Sequence, residues 1–335
     1  MVKILAIESS CDETAAAVVS DGNSILSNII ASQIPVHRLY GGVVPEIASR
    51  HHLEAIVPVV GEALSAAGCE FSDIDAVAVA NGPGLVGSLL VGVSYAKALA
   101  LALNKPLIAV HHWQGHLHAI DIEHHLAYPY LALVVSGSHS GLLLATEQGN
   151  TMLGCSHDDA AGEAFDKIAR ALGLPYPGGP EISRAAEHGN REFQHFPRAW
   201  MEGTDDFSFS GLKSAVLNYL NQQRMKGAEP DQQEICDIAA SAQEAICDIL
   251  SAKAVAAAQR EGVAAIALVG GVAANQRLRQ LLSERAGAVG ITAVWPSPVY
   301  CTDNAAMIGV AALPKYAAGD FADLSLNAEP RLAII

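Results

Sequence analysis

The sequence predicts an α/β protein of two lobes, built by using one unit twice. Three observations carry that prediction. Residues 131–139 (LALVVSGSH) lie under residues 4–12 (ILAIESSCD) at a constant offset of 127. The same offset sets Gln148-Gly149-Asn150 under Asp21-Gly22-Asn23 and Met152-Leu153 under Ile25-Leu26, with no gap. The succession of apolar run, glycine loop and apolar helix over residues 76–103 returns from residue 265 through Gly270-Gly271 into a helix from Asn275. Finally, the apolar runs 107–110 and 291–295 each open onto a polar segment, one holding His112 and His116, the other Asp303. Self-similarity over this length marks a repeated supersecondary unit.

Within each copy the elements follow from the pattern. Residues 3–7 are an apolar run and predict a strand; Glu8 to Glu13 form a polar turn; residues 14–20 and 24–31 are two further strands around the turn Asp21-Gly22-Asn23. Gly41 and Gly42 make a turn ahead of Pro45 and Glu46, which suit the first turn of a helix running to about residue 67. Residues 74–80 predict a strand, 81–84 a tight loop and 88–103 a helix. The run 106–110 then predicts a buried strand that leads into a histidine-rich helix. Two copies of a three-stranded meander followed by alternating helices and strands describe an actin-like, two-lobed ATPase fold. The lobes are expected at 1–127, with part of the C-terminal helix packing back on it, and 128–335. The second lobe carries a helical insertion at about 158–260, which has no counterpart in the first half.

Composition narrows the function classes. With 335 residues and 51% hydrophobic content the chain can build two cores, which excludes a disordered or solvating protein. The most apolar stretch, 88–103, contains Ser94, Tyr95 and Lys97 and is shorter than a bilayer span, so a core helix and no membrane segment is expected. The N-terminal run meets Glu8 and Asp12 directly and reads as a strand rather than a signal peptide. Six scattered cysteines without a C-x-x-C suit reduced thiols in the cytoplasm. The net charge of −15 means that a nucleic-acid partner has to be held by a local basic patch or by another subunit.

The polar turns carry the candidate chemistry. In an actin-like fold the first hairpin of each lobe points into the cleft, and glycine loops at helix starts bring N–H groups to phosphates. Residues 9–13 and 136–140 are those hairpins, and their shared serines, with Gly137 in the second, favour phosphate binding over plain turns. Asn275 reads as a helix cap behind Gly270-Gly271. His112 and His116 share a helical face at a metal-ligand spacing, which also fits two half-exposed histidines at a helix start. Asp303 completes a His/His/Asp site across the cleft or else caps the helix that follows it. Asp158 and Asp159 suit the first turn of a helix, whereas Asp166 falls one turn too late for the helix dipole to account for it. Pro177-Gly178-Gly179-Pro180 forms a rigid loop able to approach a ligand by its backbone. A metalloprotease would need a glutamate after the first histidine, and Trp113 stands there.

These motifs resemble one family. YGGVVPEIASRHH (40–52), NGPGLVGSLLVG (81–92), VHHWQGH (110–116), VVSGSH (134–139), DDAAGEAFDK (158–167), YPGGP (176–180), DFSFSGLK (206–213), GGVAANQRLR (270–279) and CTDNAAMI (301–308) look like those of the TsaD family, bacterial tRNA N6-adenosine threonylcarbamoyltransferases once described as O-sialoglycoprotein endopeptidases. The resemblance implies transfer of a threonylcarbamoyl group from threonylcarbamoyl-AMP to N6 of the adenosine 3′ of the anticodon, in tRNAs reading codons that begin with A. It implies that His112, His116 and Asp303 ligate one divalent ion, iron or zinc. It also implies that Val134, Val135, Ser136, Gly137, Ser138, Asp166, Gly179, Ser183 and Asn275 line the adenylate site. The implied partners are tRNA, a TsaB-like paralogue and a TsaE-like ATPase. Two positions depart from the family: Ser138 replaces a glycine, and Gln114 replaces an acid. The catalytic candidates are Asp12 and Glu13, on the first hairpin.

Overall fold

The computed structural model describes residues 1–333. Its first strands, β1 (Lys3–Glu8), β2 (Glu13–Ser20) and β3 (Ser24–Ser32), form an antiparallel meander. The short helix α1 (Ile34–His37) and the long helix α2 (Pro45–Ala66) follow. Next come β4 (Ala76–Gly82), α3 (Val86–Leu103), β5 (Leu107–His111) and α4 (His112–His118). The sheet order is β3-β2-β1-β4-β5, with β4 and β5 parallel to β1. A second sheet starts from the meander β6 (Tyr130–Val135), β7 (Ser140–Thr146) and β8 (Gly149–Cys155). The helices α5 (Ala161–Ala171), α6 (Gly178–Ala186), α7 (Ser210–Met225) and α8 (Gln232–Arg260) come before its remaining parts, β9 (Ala265–Val269), α9 (Gln276–Ala288) and β10 (Thr292–Val294). Its order, β10-β9-β6-β7-β8, repeats the first sheet. The chain ends through α10 (Pro298–Cys301) and α11 (Ala305–Ala318).

The repeat is not gapless. Glu8 pairs with Ala15 across the first hairpin, but Val135 pairs with Ser140 across the second. The second turn is therefore two residues shorter, and the offset of 127 that relates β1 to β6 does not carry into β7. The small residues of VVSGSHS close a tighter turn, with Ser136 N–H donating to the His139 carbonyl at 2.7 Å.

Chain contacts divide the described residues into two compact units: residues 1–125 with 296–333, and residues 126–295. The sequence-based division at 127/128 differs from this in the C-terminal segment, and packing supplies the reason. Strand β1 is apolar on both faces: Ile4 and Ala6 lie in a core with Met307, Ile308 and Val310 of α11, while Leu5 and Ile7 lie in another with Ile56 and Val60 of α2 and Val93 of α3. A strand buried on both sides reads as a continuous apolar run rather than an alternation, which is what residues 4–7 show. Helix α11 is thus one covering layer of the first sheet.

Helix α3 buries Ser88, Leu89, Gly92, Val93, Ala96 and Ala100 but exposes Val86, Leu90 and Leu101, so it is a core helix on one face only. Among the described residues it is the one helix long and apolar enough to cross a bilayer by length and composition.

Candidate active site

Helix α4 starts where β5 ends. The His111 ring accepts the Trp113 N–H at 3.1 Å and caps it, and one turn then separates His112 from His116 on the same face. A close approach brings Asp303 to them: a Cβ on Gly115 would stand 2.7 Å from the Ile308 Cδ1 and 3.3 Å from the Met307 Cγ, so a larger residue there would have to displace side chains of α11. Asn304, not Asp303, caps α11, its Oδ1 accepting the Met307 N–H at 3.0 Å. The capping alternative for Asp303 therefore falls away. Its carboxylate lies 3.1 Å from His116 Nε2 and 3.5 Å from His112 Nε2. Because α11 belongs to the first unit, the three groups meet within one unit rather than across a cleft.

These residues fit a divalent cation. One ligand atom from each of the three lies within 4.8 Å of the others. His116 is 1% exposed, and among the described residues its Nδ1 has no hydrogen-bond partner while its Nε2 meets Asp303 without an aligned hydrogen bond; a buried ring of that kind is costly unless something else occupies it. Burial opposes charge on His112, yet the Asp303 and Glu8 carboxylates outweigh it and push its pKa up to about 9. The surroundings thus favour positive charge. Two imidazoles and one carboxylate are a donor set for iron or zinc, with positions left for a substrate oxygen.

The hairpin acids lie beside this cluster. Asp12 is buried, and its carbonyl accepts the Gln33 N–H at 3.1 Å. The Glu13 carboxylate accepts the Ser32 hydroxyl at 3.1 Å. Burial, with repulsion from Asp12 and Asp303, raises the Glu13 carboxyl well above the usual carboxylate range.

In the second unit the predicted nucleotide residues form three local groups. The first is the turn after β6. Val134 and Val135 are fully buried by their side chains, so they can meet a ligand only through backbone. The Ser136 carbonyl accepts the Gly162 N–H at 3.1 Å and ties the turn to the start of α5; Gly137 is open to space on its Cβ side. Ser138 is not among the non-glycine residues with positive φ, which are Asn23, Asn104 and Met201, so serine replaces glycine here without a left-handed backbone. In the second group, Asp166 accepts the Gly178 N–H at 2.6 Å. A Cβ on Gly178 would stand 2.5 Å from the Asp166 Cα, whereas one on Gly179 meets nothing within 4 Å. The third joins Ser183, Gln243 and Asn275: the Asn275 amide donates to the Ser183 hydroxyl at 2.9 Å and to Gln243 Oε1 at 2.8 Å, while its own Oδ1 caps α9 through the Leu278 N–H at 3.0 Å.

A family model described as TsaD, tRNA N6-adenosine threonylcarbamoyltransferase, matches residues 24–310. The chain belongs to the TsaD family. It is 58% identical over 334 residues to the tRNA N6-adenosine threonylcarbamoyltransferase of Moorella thermoacetica, covering 99% of this chain and 97% of that protein. Two solved structures share the fold. T. kodakarensis HypF matches with a TM-score of 0.63 at 16% identity, covering 97% of this chain and 49% of its own. Component A of the Acidaminococcus fermentans (R)-2-hydroxyglutaryl-CoA dehydratase matches with a TM-score of 0.53 at 16% identity, covering 95% and 100%. The duplicated actin-like fold expected from the repeat is the fold of this TsaD-family chain.

Sequence reasoning missed several residues around these sites. Glu8 was read as the first residue of a polar turn, but it ends β1 with no exposed surface and meets His112 Nδ1 through Oε2 at 3.1 Å. Gln243 lay unremarked within a long helix. Asp158 and Asp159 do not sit in the first turn of α5, whose cap is Ala160. Asp158 accepts the Phe209 N–H at 2.8 Å at the start of α7, and Asp159 binds Lys167 at 2.6 Å and Lys213 at 2.8 Å. Asp166, by contrast, stood out in the sequence as an acid that the helix dipole does not account for, and it accepts the Gly178 N–H.

Proposed function

We propose that this transferase of the TsaD family moves the threonylcarbamoyl group from threonylcarbamoyl-AMP to N6 of the adenosine 3′ of the anticodon, in tRNAs that read codons beginning with A. The observation that carries the reading, beside family membership, is the convergence of His112, His116 and Asp303 on one buried point. In the step itself, N6 attacks the carbonyl carbon of the threonylcarbamoyl group and the bond from that carbon to the phosphate oxygen breaks. AMP leaves with the electron pair, and the N6 proton passes to a base, for which Asp12 and Glu13 are the candidates. His112, His116 and Asp303 would hold one iron or zinc ion, which when bound supplies Lewis-acid polarisation of acyl oxygens.

The second unit would bind the adenylate. Backbone groups of Val134, Val135, Ser136, Gly137 and Ser138 suit phosphate oxygens, as turn N–H groups do elsewhere. Gly179, in the first turn of α6 and open on its Cβ side, lets a ligand approach the backbone, while Asp166, Ser183 and Asn275 offer side chains.

Partners complete the reading. Ion pairs occupy much of the basic side-chain complement of the insertion: Arg184 with Glu181, Arg198 with Asp248, Lys213 with Asp159 and Arg224 with Glu229. The chain therefore needs help to hold tRNA, from a TsaB-like paralogue and a TsaE-like ATPase. Leu53 and Val57 on α2 with Val86, Leu90 and Leu101 on α3 are exposed apolar residues suited to contacting the paralogue. The assay is threonylcarbamoyl transfer from the purified adenylate to tRNA, with and without those two proteins; tRNA nucleosides that stay unmodified in the complete mixture would overturn the reading.

A further inference from the structure

We infer that Glu8 is a positioning residue for the metal site, fixing the His112 ring so that Nε2 and not Nδ1 faces the cation. The inference rests on the metal-site reading above and concerns the atoms behind it. Glu8 closes β1 with 0% exposure, in a strand whose neighbours Ile4 to Ile7 are all core. A carboxyl group in such a place is costly unless each oxygen is matched. Both are: Oε1 accepts the Ser10 N–H at 2.5 Å, and Oε2 lies 3.1 Å from His112 Nδ1. The Ser10 hydroxyl adds a second contact to the same nitrogen at 3.2 Å.

The turn that carries these groups is itself held. The Ser10 carbonyl accepts the Leu85 N–H at 2.8 Å, and the Ser9 hydroxyl donates to the Ser88 carbonyl at 3.0 Å, so the start of α3 pins residues 9 and 10. With Nδ1 engaged from β1, the opposite edge of the His112 ring points to Asp303, 3.5 Å from Nε2. A ligating histidine whose other nitrogen donates to a carboxylate is fixed in tautomer and orientation, and loss of such a partner weakens metal binding about 10–100-fold. Glu8 is not one of the three clustered groups, and its contact is with His112, through which it would act.

The test uses the full-length chain, stripped of metal and titrated with zinc against a chromophoric chelator, and then with cobalt to read the ligand-field spectrum. Glu8→Gln keeps the shape and one acceptor oxygen but removes the charge. We expect zinc affinity to fall at least tenfold and the cobalt absorption to shift, with the metal-free variant still cooperatively folded. An unchanged affinity and an unchanged cobalt spectrum in Glu8→Gln would overturn the assignment. If the variant does not fold, the nitrogen-15 histidine spectrum of the zinc-loaded wild type decides: the inference requires a proton on His112 Nδ1 and fails if Nδ1 carries the metal. Failure of the metal-site reading itself looks different, since wild type would then bind no zinc, or His116→Ala would bind it as tightly as wild type.

Discussion

Asp303 Oδ1 lies 3.1 Å from Nε2 of His116, although one residue sits ahead of the last long helix of the chain and the other on the short helix behind β5. The contact depends on α11 packing against α4 beside Gly115; Asp303 is partly exposed, and His116 is buried as a polar ring rather than as apolar core. We therefore predict that Asp303→Ala and His116→Ala each lower retained metal at least tenfold while the metal-free proteins melt within a few degrees of wild type. Metal analysis by mass spectrometry beside a thermal melt reads both. Full occupancy in either variant contradicts the ligand assignment.

Adjacent glycines should separate structure from binding. Gly178→Ala forces a Cβ against the backbone of Asp166 and Phe165, and overpacking of that kind costs about 1–3 kcal/mol. Gly179→Ala meets open space and should leave stability unchanged within about 0.5 kcal/mol. If the adenylate approaches here, Gly179→Ala instead weakens its binding, so urea melts and calorimetric titration with a non-hydrolysable adenylate should give opposite rankings for the two variants.

Much of this was legible in the sequence and some was not. Strand β1 and its copy β6 could be read because both are continuous apolar runs ending in a polar turn, and the recurrence of glycine loops showed the succession of elements along the chain but not the strand order in either sheet. The two-residue shortening of the second hairpin was hidden, because side-chain identity at the turn does not report pairing register. That part of the C-terminal helix packs back on the first lobe was expected, but not that the segment leading into it joins the first unit from Pro296, since its residues carry no periodic pattern that names a covering sheet. His112, His116 and Asp303 were legible only in part: the spacing allowed a shared site but fitted two helix-start histidines and a capping aspartate as well, and it was the family resemblance that grouped the three. Glu8 and Gln243 were not legible, because a buried polar residue at the end of a strand or inside a long helix leaves no periodic signature; only the partners across space reveal it.

Acid sensitivity should concentrate in the insertion. Burial alone would raise the Asp159 carboxyl, but Lys167 and Lys213 outweigh it and hold its pKa below the usual range. A depressed folded-state pKa gives stability that is complete above the unfolded value, about 4, and lost as pH falls through the folded one. Asp159→Asn should cost about 2 kcal/mol at pH 7, and its deficit relative to wild type should shrink as the pH drops below about 4. Urea unfolding across that range checks the sign; a deficit that stays constant with pH contradicts it.

The helix cap at Asn275 serves two purposes, and Asn275→Ala removes both. Loss of the cap costs about 1 kcal/mol, and the Ser183 hydroxyl and Gln243 lose their shared donor at the same time. We expect destabilisation of about 1–2 kcal/mol together with weaker adenylate binding. Ser183→Ala should weaken binding with a smaller loss of stability, because α9 keeps its cap. Equal losses of stability in the two variants would mean that the network, not the cap, holds α9 in place.

The account stands most directly on what happens to tRNA. The measurement is mass spectrometry of tRNA nucleosides after incubation of unmodified tRNA with threonylcarbamoyl-AMP, the purified chain, a TsaB-like paralogue and a TsaE-like ATPase, beside the same mixture containing Asp303→Ala. The account predicts N6-threonylcarbamoyladenosine with the wild-type chain and its loss, by at least a hundredfold in initial rate, with the variant. Equal product from both, or product formed without the chain, would contradict it.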